Sequence, residues 1–301
     1  MNENGARCAA VSEAIEEPLA GTSAAAKAWL ALEQPGPWGR DALSASHLDH
    51  VVARELAALS AGTGVRVVLI RRPGNHPDRH RPTPRTVYLA HTAPGRTWLE
   101  RTSVTDPKEL LGLDFSRAGA GEPGLLGTPV SESLLLVCTN GRRDVCCALR
   151  GRPIVADLAA VHGDRVWECT HIGGHRFAPT AVLLPTGYSY GRLTNELGTR
   201  LLTEGPLVAR CRGRSTWSPP GQVAELAVRS AVDEQDPDAL WVTATDDLPG
   251  SGWLVTVSHV DGRAWRVAVT EREVAASRPA SCGKAPAPAV ALEAVSVRAW
   301  R

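Results

Sequence analysis

A repeated order of elements limits what this chain can fold into more than any other feature. In residues 25–128 the apolar run Trp29-Leu30-Ala31-Leu32 reads as a strand, closed by the turn residues Gln34-Pro35-Gly36-Pro37. Ser46 can cap a helix in which Leu48, Val51, Val52, Leu56 and Leu59 recur at helical spacing until Gly62 and Gly64 stop it. Residues 65–70 are β-branched and do not alternate, so both faces of that strand should be buried. After a loop over 71–85, residues 87–90 and 98–104 form a hairpin turned at Ala93-Pro94-Gly95, and a short helix follows at 106–111. Residues 129–210 run through the same sequence of events. A Leu and Val strand over 133–137 ends at Cys138, and helical spacing covers 144–149 and 153–161, broken or kinked near Gly151-Arg152-Pro153. Residues 165–170 alternate as a strand, and His171 to His175 is a loop. Residues 181–184 and 188–192 form a hairpin, and Thr194 caps a helix through Leu197, Leu201 and Leu202.

Strand, helix, strand, hairpin, helix is the order of the thioredoxin-like core. The expected fold class is therefore α/β (α+β), with a thioredoxin-like domain at 129–210 preceded by a second thioredoxin-like unit at 25–128. The Gly and Pro rich stretch 119–128 is the expected boundary. The loop of the first unit carries His76-Pro77-Asp78-Arg79-His80 where the second carries His171 to His175, but the first unit has no cysteine and could not hold the same site. Residues 211–301 read as a small accessory α+β domain, with a helix at 222–232, a strand at 240–245 and a hairpin turned by Asp261-Gly262. Residues 1–24 are rich in Ala, Glu and Ser without clear periodicity, and read as a loose arm.

A chain of 301 residues with a formal charge of +1 has no global field to draw it to nucleic acid or anionic lipid. No stretch approaches the ~20 apolar residues of a membrane helix, and the acidic N-terminus does not read as a secretory signal. The expectation is a cytoplasmic protein, in whose compartment thiols stay reduced. Seven cysteines at irregular positions (8, 138, 146, 147, 169, 211, 282) argue against a disulfide framework and for metal or redox chemistry.

The chemistry concentrates in Cys138-Thr-Asn-Gly-Arg-Arg-Asp-Val-Cys146-Cys147, followed by His171-Ile-Gly-Gly-His175. Thiolates and imidazoles in two close pairs are what iron-sulfur or zinc sites require. Cys138 should sit at a strand end and Cys147 in the first turn of a helix, with the loop between them curling its N–H groups toward sulfur. The glycines between the histidines favour a turn whose backbone can approach a cluster.

These residues resemble the sucrase/ferredoxin-like family, in which Cys-x8-Cys is followed by His-x-Gly-Gly-His. The first pattern selects Cys138 and Cys147, the second His171 and His175, and Tyr190-Gly191-Arg192 matches the aromatic-Gly-Arg that follows. Residues 29–41 are similar to the family's bacterial members, so the resemblance is expected to cover nearly the whole chain. It implies a 2Fe-2S cluster with Cys138 and Cys147 on one iron and His171 and His175 on the other. Neutral imidazoles in place of two thiolates would raise its reduction potential, and an outward ring nitrogen would couple reduction to a proton. Nothing in the chain resembles a sugar-cleaving site.

Zinc is the competing metal, since Cys2His2 is a common structural zinc set. Cys146 and Cys169 read as core, and Cys8 and Cys282 have no assigned role. His76 and His80 read as a solvated or partner-contacting patch, Arg142 and Arg143 as exposed groups able to balance a cluster or meet an acidic donor, and Trp38 and Trp167 as core filling. The expected function is that of an electron carrier with no substrate of its own, meeting redox partner proteins such as a reductase or an oxidoreductase. The alternatives are a cluster-based redox or iron sensor, a zinc-stabilised binding module and, weakest for lack of a Cys-x-x-Cys, a thiol enzyme.

Overall fold

The computed structural model describes residues 7–74, 84–274 and 276–300; the His76 and His80 patch lies outside them. In chain order the elements are α1 (Cys8–Ala14), β1 (Ala28–Glu33), α2 (His50–Ser60), β2 (Val65–Arg71), β3 (Arg85–His91), β4 (Trp98–Val104), α3 (Phe115–Ala120) and β5 (Thr128–Pro129). They continue with β6 (Leu134–Cys138), α4 (Val145–His162), β7 (Val166–Cys169), β8 (Ala181–Leu184), β9 (Tyr188–Tyr190), α5 (Asn195–Thr203) and β10 (Cys211–Arg214). Last come α6 (Pro219–Ala231), β11 (Leu240–Leu248), β12 (Gly252–His259), β13 (Ala264–Glu273), β14 (Arg278–Pro279), β15 (Pro286–Ala287) and β16 (Val290–Trp300).

One ten-stranded sheet runs in the order β10-β9-β8-β6-β7-β2-β1-β3-β4-β5. Within it, β1 pairs parallel with β2 and antiparallel with β3, which pairs with β4. In the same way β6 pairs parallel with β7 and antiparallel with β8, which pairs with β9. The two units are thus the same thioredoxin-like strand pattern, joined antiparallel through β2 and β7 over only two residue pairs, Ile70 with Cys169 and Arg71 with Glu168.

Along each central strand the side chains divide between two cores, as the two-residue pleat requires. Leu30 and Leu32 face α2, and Leu135 and Val137 face α4 and α5. Trp29, Ala31, Leu136, Cys138 and Trp167 share a single core on the opposite face. The sheet curls around that shared core. Trp167 on β7 meets Tyr88 on β3, ring centres 5.9 Å apart, although β2 and β1 lie between those strands. The indole N–H of Trp29 on β1 donates to Ser215, just beyond β10 at the far edge (3.1 Å).

Local signals explain most elements. Asp49 rather than Ser46 caps α2, accepting from the N–H groups of Val51 and Val52, and Thr194 caps α5 as expected. The helix after Cys138 is not broken at Gly151-Arg152-Pro153. It runs unbroken through Pro153 because Val155 and Leu158 anchor its second half in the core, and Gly151 lets it lie against the Cys138 carbonyl, where a Cβ would come within 2.5 Å.

The loose arm expected at the N-terminus is packed. Cys8, Ala9, Ser12 and Glu17 are all buried. The Glu17 carboxylate accepts from Arg176 (2.8 Å) and from Arg278 (2.7 Å), tying this segment to the loop after His175 and to β14. Beyond β10, α6 lies against the four-stranded sheet β11-β12-β13-β16 through Val223, Ala224 and Val228. Its Glu225 accepts from Tyr188 of the main sheet (2.6 Å).

Candidate metal centre

Cys138 ends β6 and Cys147 lies in the first turn of α4, both fully buried in the shared core. The turn between them is fixed by Asp144, whose carboxylate accepts from the N–H of Cys146 (2.9 Å) and caps the helix. Opposite, the chain leaves β7 at Cys169 and turns through His171–His175. Gly173 and Gly174 both adopt left-handed backbone (φ +89° and +70°), which other residues adopt only with strain. A Cβ on Gly174 would come within 2.4 Å of the Arg212 guanidinium. Gly174 therefore serves the close approach of Arg212.

All four residues selected from the sequence converge at one end of the core. The Cys138 sulfur lies 3.9 Å from Nδ1 of His171, and the ligand atoms of Cys138, Cys147 and His171 fall within 4.8 Å of one another. The rings of His171 and His175 are 5.2 Å apart, tilted by 38°. His175 lies outside the tight group of three, so the set is wider than the surroundings of one ion.

Burial and the residues' own neighbours set the electrostatics of the group. A hydrogen bond from the Cys147 thiol holds Cys138 well below the usual thiol range. Burial opposes that shift and His171 supports it, while the same shared proton pushes Cys147 up. Burial lowers the pKa of His175, although Asp144, 3.8 Å away, pulls the other way. Nε2 of His175 lies 2.8 Å from the Ala280 carbonyl. A carbonyl only accepts, so Nε2 carries a proton, and Nδ1, which keeps a lone pair when the ring is neutral, is buried without a hydrogen-bond partner among the described residues.

Two arginines, the half-buried Arg66 and the buried Arg212, support the histidine loop. Arg66 donates to the His171 carbonyl (3.1 Å) and Arg212 to the Gly173 carbonyl (3.1 Å). Sequence reasoning missed both, because nothing in an arginine's local pattern marks it as buried. It also missed Asp144, for which the signal was present: an aspartate just before a helix is a cap. Cys169 is buried as expected, and burial keeps its thiol protonated. Cys146 is buried too, but faces Cys8 and Cys282 rather than Cys147.

On the solvent side His171 lines a cleft of about 250 Å³ with Arg40, Asp41, Asn140, Arg143 and Thr170. A neighbouring cleft of about 320 Å³ is walled by Trp38, Arg71, Arg142 and Arg152. Trp38 and Trp167 are buried, as core filling requires.

A family model described as sucrase/ferredoxin-like matches residues 19–211. The chain belongs to the sucrase/ferredoxin-like family. The match spans both thioredoxin-like units and ends at β10, short of the near-complete coverage the sequence resemblance implied. The second sheet and its helix lie beyond it. Searches of curated proteins and of solved structures each returned no match. Among the described residues of this sucrase/ferredoxin-like protein, no helix is long and apolar enough to cross a membrane.

Proposed function

We propose that this protein is a one-electron carrier holding a 2Fe-2S cluster on Cys138, Cys147, His171 and His175. The observation that carries the reading is His175, whose Nε2 proton is fixed on a backbone carbonyl and whose Nδ1 is buried with no hydrogen-bond partner among the described residues. A ligand histidine is oriented in this way by its outer hydrogen bond. The donor set fits the group, with two sulfurs sharing one proton on one side and two imidazoles on the other. A single zinc ion draws four donors to within about 4 Å of one another. His175 stands apart from the other three, which favours a two-iron centre over zinc.

Bound there, the cluster would supply one-electron chemistry at a potential raised by its two neutral ligands. The chain supplies the surroundings. Cys138 and Cys147 are sealed from water, whereas His171 is half-buried and lines the cleft, so electrons would enter on the histidine side. Arg40, Arg142, Arg143 and Arg152 around the two clefts suit an acidic redox partner such as a reductase. Arg66 and Arg212 place positive charge under the loop to offset a negative cluster.

One contact favours a second reading, a redox or iron sensor. The Ala280 carbonyl that fixes His175 follows β14, so loss of a cluster would release a segment of the C-terminal unit. Reduction by ferredoxin or flavodoxin reductases separates the two: rapid turnover is expected of a carrier, and sluggish reduction by every donor would favour sensing. For ligation, His175→Cys should keep a cluster and lower its midpoint potential. An unchanged potential would rule out His175 as a ligand.

A further inference from the structure

Around Asp144, which also lies 3.8 Å from His175, a second group of donors converges, assembled from three distant parts of the chain. Cys8 opens α1, Cys146 lies in the first turn of α4, and Cys282 lies in the turn after β14. Their sulfurs are 3.8 Å (Cys8 to Cys146), 3.3 Å (Cys146 to Cys282) and 3.6 Å (Cys282 to Cys8) apart. The Asp144 carboxylate oxygens lie 3.6 and 3.7 Å from the Cys8 sulfur. From this geometry we infer that Cys8, Cys146, Cys282 and Asp144 form a mononuclear binding site for a thiophilic divalent cation of the zinc type. The site is separate from the Cys138 centre and does not depend on the cluster reading.

The distances select a single ion. With metal–sulfur bonds of about 2.3 Å and metal–oxygen bonds of about 2.0 Å, a tetrahedral ion sets its sulfurs about 3.8 Å apart and its sulfur–oxygen edges about 3.5 Å. The Cys8–Cys146 (3.8 Å) and Cys282–Cys8 (3.6 Å) edges and the Asp144 edge fall near those lengths, and the Cys146–Cys282 edge (3.3 Å) is shorter and would open as an ion is taken up. A disulfide needs sulfurs about 2.05 Å apart and would leave the third thiol unused. A cubane gives each cysteine its own iron and so spreads the sulfurs beyond these contacts.

The surroundings are those of thiolate ligands. The backbone N–H of Ala9 points at the Cys146 sulfur and that of Cys8 at the Cys282 sulfur, donors that stabilise bound thiolates. Asp144 accepts from the N–H of Cys146 (2.9 Å) and of Cys282 (2.8 Å), and a carboxylate with about four acceptor positions keeps room for a metal. The fully buried Cys8 and Cys146 and the partly buried Cys282 pack with Ala9 and Ala178. An ion here staples α1 and the turn after β14 onto the start of α4. It thereby holds the Ala280 carbonyl against His175 and couples the staple to the neighbouring centre.

The test is metal analysis of the full-length protein purified without chelator. Wild type should contain about one zinc per chain in addition to any iron. Cys8→Ser and Cys282→Ser should lose that zinc and keep the iron, whereas Cys138→Ser should do the reverse. Should a variant fold poorly, wild-type protein gives an independent reading. After removal of metal and reduction, cobalt(II) should bind and produce thiolate-to-cobalt charge-transfer absorption. Bound zinc should protect Cys8, Cys146 and Cys282 from alkylation until a chelator is added. Wild type that binds neither zinc nor cobalt, zinc retained in both serine variants, or a Cys146–Cys282 disulfide in the isolated protein would each overturn the assignment. Zinc lost only with Cys138→Ser would place it at the first centre and overturn the second.

Discussion

At the scale of residues, hydrogen bonds decide which side chains are ready for chemistry. Gly174 is the most sensitive backbone position. Gly174→Ala adds a Cβ where φ is +70° and where the Arg212 guanidinium already lies, so at least about 1–2 kcal/mol is lost to strain alone. The variant should unfold at lower urea and bind less iron than wild type; equal iron content and stability would show that the loop tolerates other paths. His91 offers a test away from the cysteine and histidine groups. Burial holds its pKa down to about 4 from an ordinary 6.5. The unfolded chain therefore takes up a proton below pH 6.5 that the folded chain refuses until about pH 4. Stability from this group is complete above pH 6.5, falls between 6.5 and 4 by about 3 kcal/mol, and falls no further below. Urea titrations across that range should show the loss in wild type and a smaller one in His91→Gln. The quartet was legible in the sequence because its members lie within a few dozen residues in tight pairs. Cys8 and Cys282 were not, because residues separated by 136 or more positions meet only through the fold.

At the scale of elements, the weak point is the seam between β2 and β7. Two residue pairs carry the register there, and Arg71 closes it with a buried ion pair to Glu168 (2.6 Å) while lying 4.0 Å over the Trp38 ring. Removing one member of such a buried pair typically costs about 3–5 kcal/mol. Arg71→Ala should show a loss of that size in denaturant unfolding, and a loss under 1 kcal/mol would mean the seam is held by backbone pairing alone. Helix α5 was legible because its cap and spacing agree. Helix α3 was missed because it sits in Gly and Pro rich sequence that reads as linker. Of the two readings at Pro153, a break or a kink, the break does not occur: packing of Val155 and Leu158 outweighs the bond that proline forgoes.

At the scale of the whole molecule, two copies of one strand pattern wrap a common core and leave the cysteine and histidine pairs at its end. The repeat was visible in the order of elements, since each copy carries its own strand and turn signals. The curl of the sheet was not, because it depends on contacts such as Trp167 with Tyr88 and Trp29 with Ser215 that no local pattern encodes. The C-terminal sheet is fastened to this body through the buried Tyr188 hydroxyl and the Glu225 carboxylate, with Arg229 paired to the same carboxylate (2.7 Å). Tyr188→Phe should cost about 1.5–3 kcal/mol, a hydrogen bond to a charged group, and unfold both sheets in a single earlier transition. Two separated transitions would show that the units are independent. The central claim is that the Cys138, Cys147, His171 and His175 end of the core carries a diiron cluster. Iron and acid-labile sulfide assayed on anaerobically prepared protein should give about two of each per chain, and neither in Cys147→Ser. Preparations that contain neither iron nor sulfide after anaerobic reconstitution would contradict it.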